Sequence, residues 1–248
     1  MKQMLLLSVL LIAKESISQL KEGTVQYEVT RNIPGISSEQ KISLQEQYTL
    51  VFTAAASLYE QAPVASTGMQ EGAEFKVQSL SSTITYCDLN SKTKIQYREI
   101  YGKKFLVRSS INPLHWQITQ TTKKLLNYTA VKAISQRVDT SKRSVMENGE
   151  IKTMDIVDTV RVEAWFVPDI PISTGPAEYS GQLPGLILEV NESNGAYQYK
   201  AIEISAKAKG VKPPSKGKVV TNDQFREEFK KITDEALKNR QMEKRIRQ

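Results

Sequence analysis

The 248 residues carry 34 Lys and Arg against 27 Asp and Glu, a net of +7, with 40% hydrophobic residues, one Cys and one His. That length suits a single β-rich domain, and that apolar content a sizeable core. One Cys excludes an internal disulfide, and one Cys with one His leaves a zinc or copper site short of its preferred ligands.

The chain opens with Met1-Lys2, an apolar run from Met4 to Ala13 and then Ser16-Ile17-Ser18. This is the charged start, short apolar stretch and small-residue site of a secretory signal. The run is too short to span a bilayer as a helix. Cleavage is expected after Ser18, with Gln19 as the alternative, giving an exported chain in the periplasm or cell envelope. No Cys lies near the site to carry a lipid anchor.

Strands follow. Thr24 to Thr30, Gln47 to Phe52, Phe75 to Val77, Ser82 to Cys87, Lys92 to Tyr97 and Lys104 to Arg108 alternate apolar and polar residues, the period of a strand with one buried face. Later candidates are Trp116 to Thr119, Tyr128 to Ser135, Ile156 to Phe166, Leu186 to Val190 and Ala196 to Ser205. Turn signals at Asn90, Gly102, Asn112-Pro113, Asn148-Gly149 and Asn194-Gly195 separate them. Basic residues between Lys92 and Arg108 read as the wet face of two strands. Cys87 shares a strand face with Thr85 and Thr83 and reads as a small buried hydrophobe. His115, in Asn112-Pro113-Leu114-His115-Trp116, reads as part of a loop entering a strand; any Ser-His-Asp or Cys-His mechanism would have to pass through it.

Val160 to Val190 is the most distinctive stretch. Val160, Val162 and Ala164 alternate with Arg161 and Glu163 up to Trp165-Phe166, and then Pro168, Pro171 and Pro176 remove backbone donors and force a stiff crossing. Leu183-Pro184-Gly185-Leu186 has the residues of a type II turn, with Gly185 at the positive-φ position. The geometric reading leads, since backbone needs explain each Gly and Pro. The functional alternative is that the loop lines a ligand site with Asp169, Glu178 and Tyr179.

Beyond Ser205 the composition changes. From Lys207 onward there are 13 Lys and Arg against 6 Asp and Glu, so the whole excess of +7 lies there and the preceding chain balances at 21 against 21. Gly210 to Gly217 reads as an irregular Pro and Gly connector. A helix follows, with Thr221 as N-cap and Gln224 at capping-box spacing. Phe225, Phe229, Ile232 and Leu237 would dock it on the main domain, leaving Lys238, Arg240, Lys244, Arg245 and Arg247 as a solvated basic end that could meet a membrane surface.

The blocks Trp165-Phe166-Val167-Pro168-Asp169-Ile170-Pro171 and Gln182-Leu183-Pro184-Gly185-Leu186-Ile187 resemble the signature of the GLPGLI family. Ser57-Leu58-Tyr59, Gly102 to Val107, His115 to Ile118 with Lys123 to Tyr128, and Val220-Thr221 resemble further family landmarks in family order. Gln182 departs from the motif's first Gly, and Ala130 stands where many members have Cys. The resemblance implies an exported envelope protein, often suggested to neighbour the TonB-dependent outer-membrane transport apparatus, without assigned catalytic residues.

The expected fold is mainly β: one large, twisted or curled, half-barrel-like antiparallel sheet with a C-terminal α-helix. The expected organisation is a signal peptide at 1–18, the β domain at 19–206 and the basic linker and helix at 207–248. The leading functional expectation is a non-catalytic binding or chaperone-like module taking an apolar ligand or an envelope protein segment, without metal, cofactor or nucleic acid. Its candidate binding residues are Trp165, Phe166, Asp169, Tyr179, Leu183, Pro184 and Gly185. An accessory protein partner of a transport system is the alternative. An enzyme using Asp155, Asp158, Glu163 and Asp169 ranks last, because carboxylates alternating on strands usually face solvent.

Overall fold

The computed structural model describes residues 20–34, 41–62, 84–147, 150–208 and 210–246. The predicted signal segment, the Phe75 to Val77 strand and the Asn148-Gly149 turn lie outside the described residues. Among the described residues, twelve strands make one mostly antiparallel sheet, and a single α-helix, α1 (Asn222–Ile246), follows them. Strands β1 (Gly23–Pro34), β2 (Lys41–Phe52), β3 (Ala56–Gln61), β4 (Ile84–Asp88), β5 (Thr93–Ile100) and β6 (Lys103–Ser110) form one meander. Strands β7 (Gln117–Leu125), β8 (Tyr128–Glu147), β9 (Glu150–Val167), β10 (Leu186–Glu192) and β11 (Tyr197–Ser205) form a second. The two are joined by antiparallel pairing of β1 with β11, and the short β12 (Lys218–Val220) adds parallel to β6 at the far edge.

This order makes the link between β6 and β7 decisive. The two strands lie ten steps apart in the sheet, about 48 Å if it were flat at ~4.8 Å per step. Residues 111–116 connect them, and so short a segment reaches only about 25 Å when fully extended. The sheet therefore doubles over, and its wings face each other across the core without closing into a barrel. Alternation supplies the lining: Val25, Tyr27, Leu50, Phe52 and Tyr59 come from one meander, and Val162, Ala164, Phe166, Ile187 and Val190 from the other.

Residues 168–185 fill the space between the wings. Ile170, Ile172, Thr174, Tyr179, Ser180 and Leu183 are all buried. The loop is stitched to β10 by Leu186 N–H to the Ile170 carbonyl (3.1 Å) and Ile187 N–H to the Thr174 carbonyl (2.9 Å). Ser180 meets Ser57 of β3 through their hydroxyls (3.1 Å), and the Tyr27 hydroxyl donates to the Ile187 carbonyl (2.5 Å). Buried polar groups so matched cost little, whereas unpaired ones would oppose the fold.

The turn at Pro184 corrects the expectation from sequence. Gly185 does not adopt positive φ, and its N–H bonds to the Leu183 carbonyl (2.9 Å), a three-residue inverse γ turn in place of type II. Glycine is required there by close approach: a Cβ would stand 2.4 Å from the Val167 carbonyl oxygen. Positive φ falls instead on Gly181, where a Cβ would also strike Ile111 at 2.7 Å.

Two strands, β3 and β12, were not expected, and β7, β8 and β9 are longer than their alternation suggested. The capping box is present: Gln224 N–H donates to Thr221 Oγ1 (3.3 Å), and Thr221 N–H to Gln224 Oε1 (2.9 Å). Helix α1 docks through Phe225 and Ile232, with Phe225 edge-on to Phe105 (5.5 Å). Phe229 is 47% exposed and contributes less than its spacing implied. Arg98 lies over the Phe225 ring (5.2 Å), so this basic residue of β5 packs against the helix, while β5 is half-buried along its length.

Because the Gly185 contact is with backbone, Gly185→Ala should destabilise by about 1–3 kcal/mol, and Gly185→Asn at least as much. Chemical denaturation of both variants checks this; an Asn variant as stable as the wild type would restore the positive-φ turn.

Candidate functional site

The seven predicted residues do not converge. Phe166, Leu183 and Gly185 are buried in the core, while Pro184 is exposed. Trp165 points to the outer face of the sheet, where Lys123 Nζ stands 4.2 Å above its ring and Lys132 Nζ 5.6 Å. Those lysines pair with Glu189 and Glu163 (2.8 and 2.7 Å), so their stems and charges roof the indole. Asp169 and Tyr179 line two different clefts, one at each end of the 168–185 loop.

The cleft at the loop's end, about 530 Å³, includes Ser110, Asn112, Leu114, Arg137, Glu178, Tyr179, Gln182 and Asn222 in its walls. Its floor is a buried polar knot. From β8, Arg137 donates to Tyr179 Oη (2.8 Å), to Glu192 Oε2 (2.8 Å) and, through Nε, to Asp139 Oδ1 (2.9 Å). Tyr179 Oη donates to Glu192 Oε1 (2.8 Å), and Glu178 Oε1 lies 3.6 Å from Arg137. Trp116 and Tyr199 pack edge-on to Tyr179 at 6.4 and 6.0 Å. Gln182, the departure from the resembled motif, accepts from Leu114 N–H (2.8 Å) and Trp116 Nε1 (3.2 Å). It thereby fixes the 111–116 crossing to the loop.

Burial works against the Arg137 charge, but its hydrogen bond to Asp139 and the fields of Tyr179 and Glu192 outweigh that and hold it above the usual guanidinium range. Burial, and then the charge of Glu178, push the Glu192 carboxyl above its ordinary value against the pull of Arg137. The Tyr179 hydroxyl is likewise raised, first by burial. Chemically the knot is saturated: both Glu192 oxygens accept, and the guanidinium is shared among carboxylates and a phenol. Cys87 is buried beside Ser57 and Ser180, and burial pushes its thiol up to about 11, which removes it as a nucleophile near neutrality. Ala177, at φ 49°, is a non-glycine residue held in left-handed backbone and sets the turn that presents Glu178 and Tyr179.

The cleft at the loop's start is larger, about 810 Å³. Leu20, Leu126, Tyr128, Ile170, Ile202 and Ile204 give it an apolar interior, with Lys124, Asp169 and Glu203 around it. A β-bulge creates part of that surface. On β11, Ala201 and Glu203 pair with successive residues of β1, so Ile202 has no partner and stands 42% exposed. Leu126 and Asn127, both at positive φ, form the tight β7–β8 turn that makes the opposite wall. Lys124 Nζ is engaged with Thr129 Oγ1 (2.8 Å).

Sequence inspection passed over Arg137, Glu192, Ile202 and Leu126. Ile202 and Leu126 differ from core residues only through a bulge and a turn, which periodicity does not mark. Among the described residues no group of three or more His, Cys, Asp or Glu is placed to hold a metal, and no helix is long and apolar enough to cross a membrane.

The profile of a family described as "Protein of unknown function (Porph_ging)" matches residues 116–189, from β7 through the 168–185 loop into β10. No curated protein matches the sequence. Two crystal forms of PNGF-II are similar in structure, with TM-scores of 0.53 and 0.50, sequence identities of 13% and 14%, and 84% and 82% of this chain covered. The chain spans about a third of their length, 32% of each. At that identity the likeness shows the fold alone.

A carboxyl whose native proton affinity exceeds its unfolded one contributes most below the unfolded pKa, and that contribution is lost as pH rises through the native value. Relative to Glu192→Gln, the wild type should therefore gain stability as pH is lowered from neutral towards ~4.3, the ordinary Glu value. Urea denaturation across that window checks the sign; a wild type losing ground to the variant on acidification would contradict the burial argument.

Proposed function

We propose that this protein is a non-catalytic binding module of the cell envelope, of the GLPGLI type, that holds an apolar ligand or the apolar side of an extended polypeptide in the cleft between the β7–β8 turn and β11. The observation that carries this reading is the apolar interior of that cleft, with Ile202 turned into it by the β11 bulge. Concave, mostly apolar surfaces with a few charges at the margin are the usual form of ligand sites. Export rests on the Met1 to Ser18 pattern. The non-catalytic reading is supported by the Arg137 knot, where both oxygens of the buried Glu192 are already engaged, one by the guanidinium and one by the Tyr179 phenol.

A second reading, an accessory partner of an outer-membrane transport system, draws on the long β8–β9 ribbon. Beyond the last pairs with β7 and β10, at Ile134 and Val162, the ribbon continues to Glu147 and Glu150 with both edges unpaired among the described strands. Val138 and Val157 are 67% and 65% exposed on it. Apolar residues beside open edges suit strand addition by another protein.

Ile202→Asp discriminates between them. Since Ile202 is already partly exposed, the variant should stay within about 1 kcal/mol of wild-type stability. Binding of a fluorescent fatty-acid probe, and recovery of co-purifying apolar ligand by native mass spectrometry, should fall at least about tenfold, the effect of ~1.4 kcal/mol. Probe binding unchanged in the variant, with no ligand recovered from the wild type, would contradict the cleft reading.

A further inference from the structure

The described contacts of helix α1 with the sheet all lie within residues 222–235. Its contacts with the sheet begin at Phe225, which packs on Phe105, and run through Glu228 with Lys218 (2.8 Å) and the buried Ile232 to Glu235, 3.8 Å from Lys103. Beyond Glu235 no ion pair, hydrogen bond or aromatic contact among the described side chains joins the helix to the sheet, yet the helix continues to Ile246. That portion extends about 16 Å at ~1.5 Å per residue. Lys238, Asn239 and Met242 are exposed along it.

Charge divides at the same point. Residues 222–235 carry three basic and five acidic residues, a net of −2, whereas residues 236–248 carry five basic and one acidic, a net of +4. Acidic residues at a helix N-terminus and basic ones at its C-terminus complement the macrodipole, which accounts for a few such charges. It does not account for a terminal segment holding +4 of the chain's +7 while everything before Lys207 balances. Each basic residue brought to an anionic bilayer strengthens binding about fivefold, and such contributions accumulate over a compact cluster.

We infer that the end of α1 beyond Glu235 is an electrostatic contact for an anionic lipid surface, with Lys238, Arg240, Lys244 and Arg245 as its charges and the docked Phe225 to Ile232 portion as its rigid mount. The contact lies at the other edge of the sheet sequence from β7 and draws on residues separate from the apolar cleft, so either can fail without the other. Lipid is the committed partner because charge alone, without base-stacking aromatics or a groove, is what this segment offers.

Vesicle co-sedimentation tests it, using the mature chain, phosphatidylcholine vesicles with and without phosphatidylglycerol, and two variants: a stop in place of Ala236, and the combined Lys238→Glu, Arg240→Glu, Lys244→Glu and Arg245→Glu. The wild type should bind only the phosphatidylglycerol vesicles, and binding should fall steeply as salt shortens the screening length. Both variants should melt with the wild type and lose at least about tenfold in vesicle binding. Equal binding to neutral vesicles, retention of binding by the truncated chain, or equally tight capture by soluble polyglutamate would overturn the inference. If truncation lowers the melting temperature, the charge-reversed full-length chain decides, since it keeps the helix intact.

Discussion

Two strands ten steps apart in the sheet order are joined by residues 111–116, and a segment of that length cannot cross a flat sheet of this width. Every later feature follows from that constraint. The wings must face each other, and the space between them must be filled by something whose backbone groups are satisfied. The chain uses its own proline-stiffened loop, residues 168–185, whose buried Ile170, Ile172 and Leu183 add to the core. Thr174, Ser180 and the Ile187 amide supply the internal hydrogen bonds a buried loop needs. Gln182 then ties loop to crossing through Leu114 and Trp116, so the constraint and its filler are held by one side chain.

This arrangement redirects the search for a binding surface. A curled sheet invites the idea of a ligand in its hollow, but the hollow is occupied by the loop in the middle and by α1 over β5 and β6. Open space remains at the two ends of the loop. At one end the Arg137 knot ties up Glu192 and Tyr179 in a wall that also carries Lys94, Arg108 and Asp223; at the other an apolar cleft faces solvent. The family match spans residues 116–189 and so covers the loop and the strands that flank it.

Much of the fold was legible because it rests on local rules. Alternation marked most strands, and Thr221 with Gln224 marked the helix start, since a capping box is a short-range device. The features that escaped notice depend on distant partners. Gly185 looks like a turn glycine, but what it avoids is the Val167 carbonyl on the preceding strand. The three residues of β12 form a strand only because β6 offers an edge more than a hundred residues earlier. Phe229 has the spacing of a core residue, yet the short β6–β12 edge leaves it no surface to cover it. Arg137 resembles any polar strand residue until the loop and β10 bring Tyr179 and Glu192 to it. For the site the legible share was smaller: Asp169 and Tyr179 were placed at clefts, whereas Ile202 and Leu126 owe their exposure to a bulge and a tight turn.

The central claim is that the 168–185 loop is part of the core and not a flap over an empty hollow. Native-state hydrogen exchange of its amides tests this directly, because the N–H groups of Thr174, Gly181 and Ile187 are each bonded within the loop or to it. The account predicts that they exchange as slowly as the β1 amides around Tyr27, through global unfolding only. Exchange of these loop amides orders of magnitude faster than β1, with β1 still protected, would contradict it.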